Sequence, residues 1–422
     1  MIFSYNGRVI RSVQFVGRGI SNLAIYDYLR KRYPQLDFSF SNEECEADII
    51  FFSPSAKREG YFECGAELSS DAELYFSLSP SRKLAVSGSD GKSTTATVAS
   101  RLLEGSYLCG NIGIPFSTCI ERTADAVCEL SSFQLNYFAP RLYSSVISSI
   151  SENHIDWHGS FAAYLAAKEN LLKNSEHISL WADGEYEREL IRKYMPQRIL
   201  SIKKSFNELK GIYGDRDFIT LEGGRICLNG EDLTDTECIS RYGIHTVKNF
   251  MSAVALTLHE VDAERVRTVQ RNFTPLPHRC ELVCERGGVR YYDSSIDSTP
   301  ARTATTLATF KHGVVLILGG RSKGLDFSAL IPAMKGVTRA AVLYGECAEE
   351  IRSCLEKSDE FRDTDIALTV IPDFDGAVRY AARNARCGEC VLLSPAATSY
   401  DCFANYRERA EAFKRIILSD KD

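Results

Sequence analysis

Leu84-Ala-Val-Ser-Gly-Ser-Asp-Gly-Lys-Ser-Thr-Thr95 is the stretch from which the rest of the chain is read. Leu84, Ala85 and Val86 are an apolar run suited to a buried strand. Gly88 and Gly91 flank a tight loop, and Ala96, Val98, Ala99, Leu102 and Leu103 then recur at helical spacing. Strand, glycine loop and helix start together make an anion site. Loop N–H groups and the positive helix end face phosphate oxygens, Lys92 adds a point charge, and Ser93 or Thr94 can offer a hydroxyl to Mg²⁺. The spacing is shorter than G-x-x-x-x-G-K-[ST]. The competing reading is therefore an ordinary helix capped by Ser89 or Asp90, with Lys92 exposed.

The 422 residues suit two or three domains, and 44% hydrophobic with 25% charged residues is ordinary globular composition. Fifty Lys and Arg against 56 Asp and Glu give a net charge of −6, which argues against nucleic acid or an anionic membrane as the main partner. The start, Met1-Ile-Phe-Ser-Tyr, has no signal-peptide pattern, and no apolar run reaches the roughly 18 residues of a membrane span. Fourteen scattered cysteines suit reduced thiols in a cytoplasm. Cys387-Gly-Glu-Cys390 has C-x-x-C spacing but precedes an apolar strand, and it reads as a turn sooner than as half of a zinc site.

In chain order, Val13–Val16 feeds Gly17-x-Gly19 and a helix, followed by strands at 36–40 and 48–52, the rhythm of a small parallel α/β domain. Ser77–Lys83 reads as a linker. Ala126-Val-Cys-Glu129 delivers a carboxylate at a strand end, where it can ligate Mg²⁺ or simply face water. Ser144–Ile150 leads into Ser151-Glu-Asn-His-Ile-Asp-Trp-His158, whose histidines can bind metal or sit hydrogen-bonded in a loop. Spacing alone makes Lys168 a surface lysine on a helix. Hairpins are expected around Gly223-Gly224 and Gly287-Gly288, and Asn249 falls near a helix start. Beyond Pro277, strands at 314–320, 340–345 and 391–395 alternate with helices. This second parallel α/β pattern places Asp293, Lys323 and the loop 394–401 on one rim.

Taken together, Gly88-Ser-Asp-Gly-Lys-Ser-Thr-Thr95, Gly110-Asn-Ile-Gly-Ile-Pro115, Glu129-Leu-Ser-Ser-Phe-Gln-Leu135, Asn153-His-Ile-Asp156, Gly243-x-His-x-x-x-Asn249, Pro277-His-Arg279, Leu318-Gly-Gly-x-x-Lys323 and Leu393-Ser-Pro-Ala-x-x-Ser399-x-Asp401 resemble the Mur ligases, in order and over nearly the whole chain. The branch they resemble joins D-glutamate to UDP-N-acetylmuramoyl-L-alanine. The resemblance implies three α/β domains: a Rossmann-like one at 1–83, a P-loop ATPase at 84–274 and a Rossmann-like one at 275–422. It implies ATP, two Mg²⁺ ions, an acyl phosphate, and peptidoglycan precursor synthesis in the cytoplasm by a monomer, with no nucleic-acid or membrane partner. ATP would meet Gly88, Ser89, Asp90, Gly91, Lys92, Ser93, Thr94, Asn249, Arg279, and Asp293 or Ser294. The metal ions would take Ser93, Glu129, His154 and a carbamylated Lys168, and Lys92, His154 and Lys168 would carry catalysis. Asn111 would lie against the muramoyl substrate, with Lys323, Ser399 and Tyr406 around D-glutamate.

The chain departs from the family pattern at several places. Asp90 stands where asparagine is frequent, Thr246 replaces asparagine, Tyr406 replaces phenylalanine, and Arg409-Ala410 replaces Arg-Gly. Asp293-Ser294-Ser295 replaces Asn-Asp-Ser, so the ribose aspartate is Ser294 in register or Asp293 after a one-residue slip. Two alternatives remain open: a relative adding another amino acid, including a folylpolyglutamate-type ligase, or a non-catalytic nucleotide binder.

Overall fold

The computed structural model describes residues 2–43, 47–240, 242–322 and 324–419. The chain divides into two compact units, Met1–Ser240 with Ile244–Phe273, and Arg241–Gly243 with Thr274–Asp422. Among the described residues the first unit holds a short N-terminal hairpin and two larger sheets. One is a parallel four-stranded sheet in the order Asp37–Phe40, Ser12–Val16, Ile49–Phe52, Glu67–Ser70.

The other has nine strands. Seven are parallel, in the order Asp217–Glu222, Arg198–Ser201, Asn174–Trp181, Arg141–Ile147, Lys83–Ser87, Ala126–Glu129, Tyr107–Gly110. Arg225–Leu228 and Glu231–Asp235 extend the first edge antiparallel, which makes this sheet mixed rather than wholly parallel. The expected turn at Gly223-Gly224 joins the first of them. Central strands such as Lys83–Ser87 and Ala126–Glu129 are apolar and buried almost throughout, as a parallel sheet covered on its faces requires.

Residues 77–83 are less of a linker than their polarity suggests. The helix Asp71–Leu78 runs through the first two of them and packs its aromatic face onto the central sheet. The Tyr75 ring lies 5.1 Å from Phe116, its hydroxyl is 2.8 Å from that of Tyr107, and Ser81 Oγ is 2.7 Å from the same Tyr107 oxygen. The Asp71 carboxylate accepts the N–H groups of Phe116 (2.7 Å) and Ser117 (2.8 Å). Both sheets therefore share one core. Nothing in local polarity marked that, because the hydrogen-bonded contacts join residues 26 to 46 apart in sequence.

The second unit has six strands in the order Glu281–Arg286, Val289–Asp293, Cys390–Leu393, Val314–Gly319, Thr338–Tyr344, Ala367–Val370. All are parallel except the first, which forms the expected hairpin with the second. Thr299 caps the helix Pro300–Leu307, with proline in the first turn, where its missing N–H costs nothing. Cys390 opens a strand while Cys387 stays exposed, in keeping with a turn. Among the described residues no helix is long and apolar enough to cross a membrane.

Burial pushes the Asp71 carboxyl from 3.8 up to about 6, although two backbone N–H groups pull the other way. A folded pKa above the unfolded one means that the native state takes up a proton as pH falls through about 6. Stability from this group therefore rises on acidification down to the ordinary carboxylate range. Relative to Asp71→Asn, the wild-type chain is expected to gain up to about 3 kcal/mol between pH 7 and pH 4. Urea melts of both proteins across that range check it, and a flat difference contradicts it.

Candidate functional site

The strand Lys83–Ser87 lies inside the parallel run, and its carboxyl end opens into the loop that starts the helix Lys92–Leu102. Gly91 is the N-cap residue, at φ +81°, and as a glycine it brings no side chain to cap the helix. The N-cap is thus neither Ser89 nor Asp90, and the helix starts directly on the glycine loop, where first-turn N–H groups suit an anion. The glycines are required sterically. A Cβ on Gly88 would collide with Ser148 Oγ, and one on Gly91 with Asn249 Oδ1.

The neighbouring strand end clamps the loop. Asp90 N–H donates to Ser149 Oγ (2.9 Å), Ser148 Oγ donates to the Asp90 carbonyl (2.5 Å), and Ser151 N–H donates to Ser89 Oγ (2.9 Å). Ser89 Oγ also lies 2.8 Å from the Tyr164 hydroxyl. Lys92 curls over the loop and donates to the carbonyls of Gly88 (2.9 Å) and Ser89 (3.0 Å).

Lys168 is not a surface lysine. It is 1% exposed on the helix Phe161–Glu169, donates to the Gly88 carbonyl (2.7 Å) and lies 4.7 Å from the Tyr164 ring centre. Burial above all, and then the Lys92 charge, push its amine well below the usual 10.5, with Asp90 and Glu129 opposing. Tyr164 was missed in the sequence, although its spacing of four from Lys168 puts both on one helical face.

Glu129 is equally buried, at 1% exposure. Its Oε1 accepts from Asn111 Nδ2 (2.8 Å), while its Oε2 is buried without a hydrogen-bond partner. An ionised oxygen so placed is costly unless a cation meets it, so the donor set fits a hard divalent ion. The two histidines differ in setting. His158 stacks on Phe133 and has Nε2 3.0 Å from Ser132 Oγ, whereas His154 is exposed, in the left-handed region at φ +56°.

The second unit holds the remaining candidates. Asp293 is fully buried. Its Oδ2 is 2.7 Å from His278 Nδ1, and its Oδ1 accepts Ser295 N–H (2.9 Å) and Oγ–H (2.5 Å). Ser294 Oγ accepts Cys280 N–H (3.1 Å). Both alternatives for the ribose contact thus pin down the turn that carries Arg279, which stands between two left-handed residues, His278 and Cys280. Lys414 donates to both oxygens of Glu281, which in turn accepts His278 N–H. Tyr406 sits edge-on to His278 at 6.0 Å. Ser399 is buried, and its carbonyl accepts Phe403 N–H (2.8 Å). Lys323 lies outside the described residues.

The model of the Mur ligase middle domain matches residues 86–257, and that of the Mur ligase glutamate ligase domain matches 278–397. A protein of Acetivibrio thermocellus named UDP-N-acetylmuramoylalanine--D-glutamate ligase is 35% identical over 389 residues, covering 88% of this chain and 83% of its own. One of the same name from Clostridium kluyveri is 32% identical, with 96% of each chain covered. In fold, a pseudomurein peptide ligase type C from Methanothermus fervidus is similar, with a TM-score of 0.61 at 13% identity over 97% of this chain and 100% of its own. Identity of this level over that length reflects common descent, and the chain belongs to the Mur ligase family.

Proposed function

We propose that this chain is the ligase that joins D-glutamate to UDP-N-acetylmuramoyl-L-alanine with cleavage of ATP, acting in the cytoplasm as a monomer of three domains, 1–83, 84–274 and 275–422. The observation that carries the reading is the buried, half-satisfied Glu129 beside a glycine loop that opens a helix and has two lysines on it. The names of the relatives supply the substrates.

ATP's phosphates lie along Gly88–Thr94, where loop N–H groups and Lys92 orient them for attack by the alanyl carboxylate. Asn249 and Arg279 serve the nucleotide side. The γ-phosphoryl group passes to that carboxylate, the D-glutamate amine attacks the carbonyl carbon, and phosphate leaves as the amide forms. Such transfer depends on positioning and charge neutralisation more than on covalent help. Ser93, Glu129 and His154 would hold Mg²⁺, which supplies neutralisation of phosphate charge. Lys168, whose burial lowers its affinity for a proton, would add its unprotonated amine to carbon dioxide; the N–C bond would form, a proton would leave to solvent, and the carbamate would be an anionic ligand. Asn111, already bonded to Glu129, ties the muramoyl side to the same carboxylate. Ser399, Tyr406 and Lys323 serve D-glutamate.

Phosphate release from ATP, Mg²⁺ and UDP-N-acetylmuramoyl-L-alanine tests the reading with D-glutamate, L-glutamate, L-lysine, meso-diaminopimelate or no amino acid. Release is expected with D-glutamate alone. Turnover with another amine moves the specificity, and none at all with ATP bound leaves a nucleotide-binding relative. Lys92→Ala is expected to lower kcat by about 10²–10³-fold, as loss of one preorganised charge-stabilising donor does.

Lys168→Met should abolish turnover yet raise unfolding free energy by about 1–4 kcal/mol in carbon-dioxide-free buffer, since it removes a buried amine. The sign with pH follows from a folded pKa below the unfolded one. The native state binds the proton less tightly, so the gain of Lys168→Met is absent above the ordinary lysine range and grows as pH falls through it. A variant less stable than wild type at pH 7 in chemical denaturation would contradict this.

A further inference from the structure

Among the described residues the second unit buries one guanidinium completely. Arg409, on the helix Tyr406–Ser419, is 0% exposed, and every partner it has is neutral. One terminal nitrogen donates to the Tyr344 hydroxyl (3.2 Å), the other to the carbonyls of Ser295 (2.9 Å) and Ala397 (3.1 Å), and Nε has no hydrogen-bond partner. A Cβ on Gly320 would stand 3.1 Å from the first of these nitrogens. Ser295, Ala397, Gly320 and Tyr344 lie at or just past the carboxyl ends of four adjacent parallel strands, Val289–Asp293, Cys390–Leu393, Val314–Gly319 and Thr338–Tyr344. Asp401, the carboxylate of the same loop, accepts Glu346 N–H (3.4 Å), and no ion pair joins it to Arg409 among the described residues.

Arg198 is an internal comparison. It is equally buried in the first unit and also has neutral partners: Ser144 Oγ (3.0 Å), the Ala255 carbonyl (2.9 Å) and the Leu258 carbonyl (3.2 Å). Those carbonyls belong to the end of the helix Ile244–Thr257, where a cation offsets the helix dipole. That duty is structural. Arg409 meets no helix end. Its carbonyls belong to rim segments, the side of an open α/β sheet on which ligands bind.

We propose that Arg409 is a positioning residue for the incoming amino acid. It ties the segment leading from Ala397 to Ser399 to two other strand ends, and it places beneath the rim a positive charge that has no ion-pair partner among the described residues. In a low-dielectric interior that charge is poorly screened and favours an anion above it. On the ligase reading, on which this proposal rests, the nucleotide phosphates belong to the loop Gly88–Thr94, so the anion left for this rim is the carboxylate of the amino acid.

The test is phosphate release by the full chain, with KM for D-glutamate and for ATP measured separately in wild type, Arg409→Met, Arg409→Lys, Tyr344→Phe and Arg198→Lys. The D-glutamate KM should rise about tenfold or more in Arg409→Met, as loss of a charged hydrogen-bond donor does. Arg409→Lys should restore part of the loss, and the ATP KM should stay within about twofold in both. Tyr344→Phe removes only the hydroxyl acceptor and should shift D-glutamate KM the same way by less, which keeps the test decisive if Arg409→Met does not fold. Arg198→Lys should lower the melting temperature without moving the D-glutamate KM. Unchanged D-glutamate KM in folded Arg409→Lys and Tyr344→Phe overturns the proposal, as does a parallel rise in both KM values. A wild-type chain that releases no phosphate with D-glutamate overturns the ligase reading and this proposal with it.

Discussion

The Gly88 carbonyl accepts from two amines at once, Lys92 at 2.9 Å and Lys168 at 2.7 Å. One of these amines is half-buried and the other wholly enclosed. Burial above all, and then the like charge of Lys92, lower the affinity of the enclosed amine for the proton. The rest of the site follows from that constraint. An amine that holds its proton less tightly is the better nucleophile, and Lys92 stands over the same carbonyl as the second amine of the loop. The loop keeps its shape because Ser148, Ser149 and Ser151 hold it from the next strand.

Parallel pairing sets the level at which the other groups meet the loop. Val86 is paired with Glu129 on one side and Val146 on the other, so all three strands reach the same rim. Asn111 N–H donates to the Glu129 carbonyl while its side chain donates to the Glu129 carboxylate, which locks that oxygen's direction and leaves its twin bare. A shift of one residue in this pairing would turn Glu129 to the opposite face of the sheet.

Three buried cations illustrate different solutions to one problem. Arg198 is met by the carbonyls of a helix end, Arg409 by carbonyls and a tyrosine hydroxyl at the strands' carboxyl ends, and Lys168 by a lowered affinity for its proton. The buried thiols show the opposite case. Cys109 and Cys128 face each other on paired strands with sulfurs 3.7 Å apart, and burial above all pushes the Cys109 thiol well above its ordinary value. Such thiols are core residues of low reactivity, which is how scattered cysteines read in the sequence.

Local sequence determined much of this protein. The strand–loop–helix at 84–103, the carboxylate at the end of 126–129, the hairpins at Gly223-Gly224 and Gly287-Gly288 and the α/β class were legible because hydrophobic period, glycine and capping chemistry act over a few residues. The family resemblance extended that reading to Asn111, His154 and Asn249, which spacing alone left ambiguous. Tertiary structure alone decided the rest. It enclosed Lys168, which looks like any helical lysine; it turned residues 77–83 from a linker into part of a shared core; and it engaged Asp293 and Ser294 in holding a turn. It also buried Arg409 under four strand ends. In each of these cases the outcome depends on desolvation and on partners distant in sequence, and neither is written in the neighbouring residues.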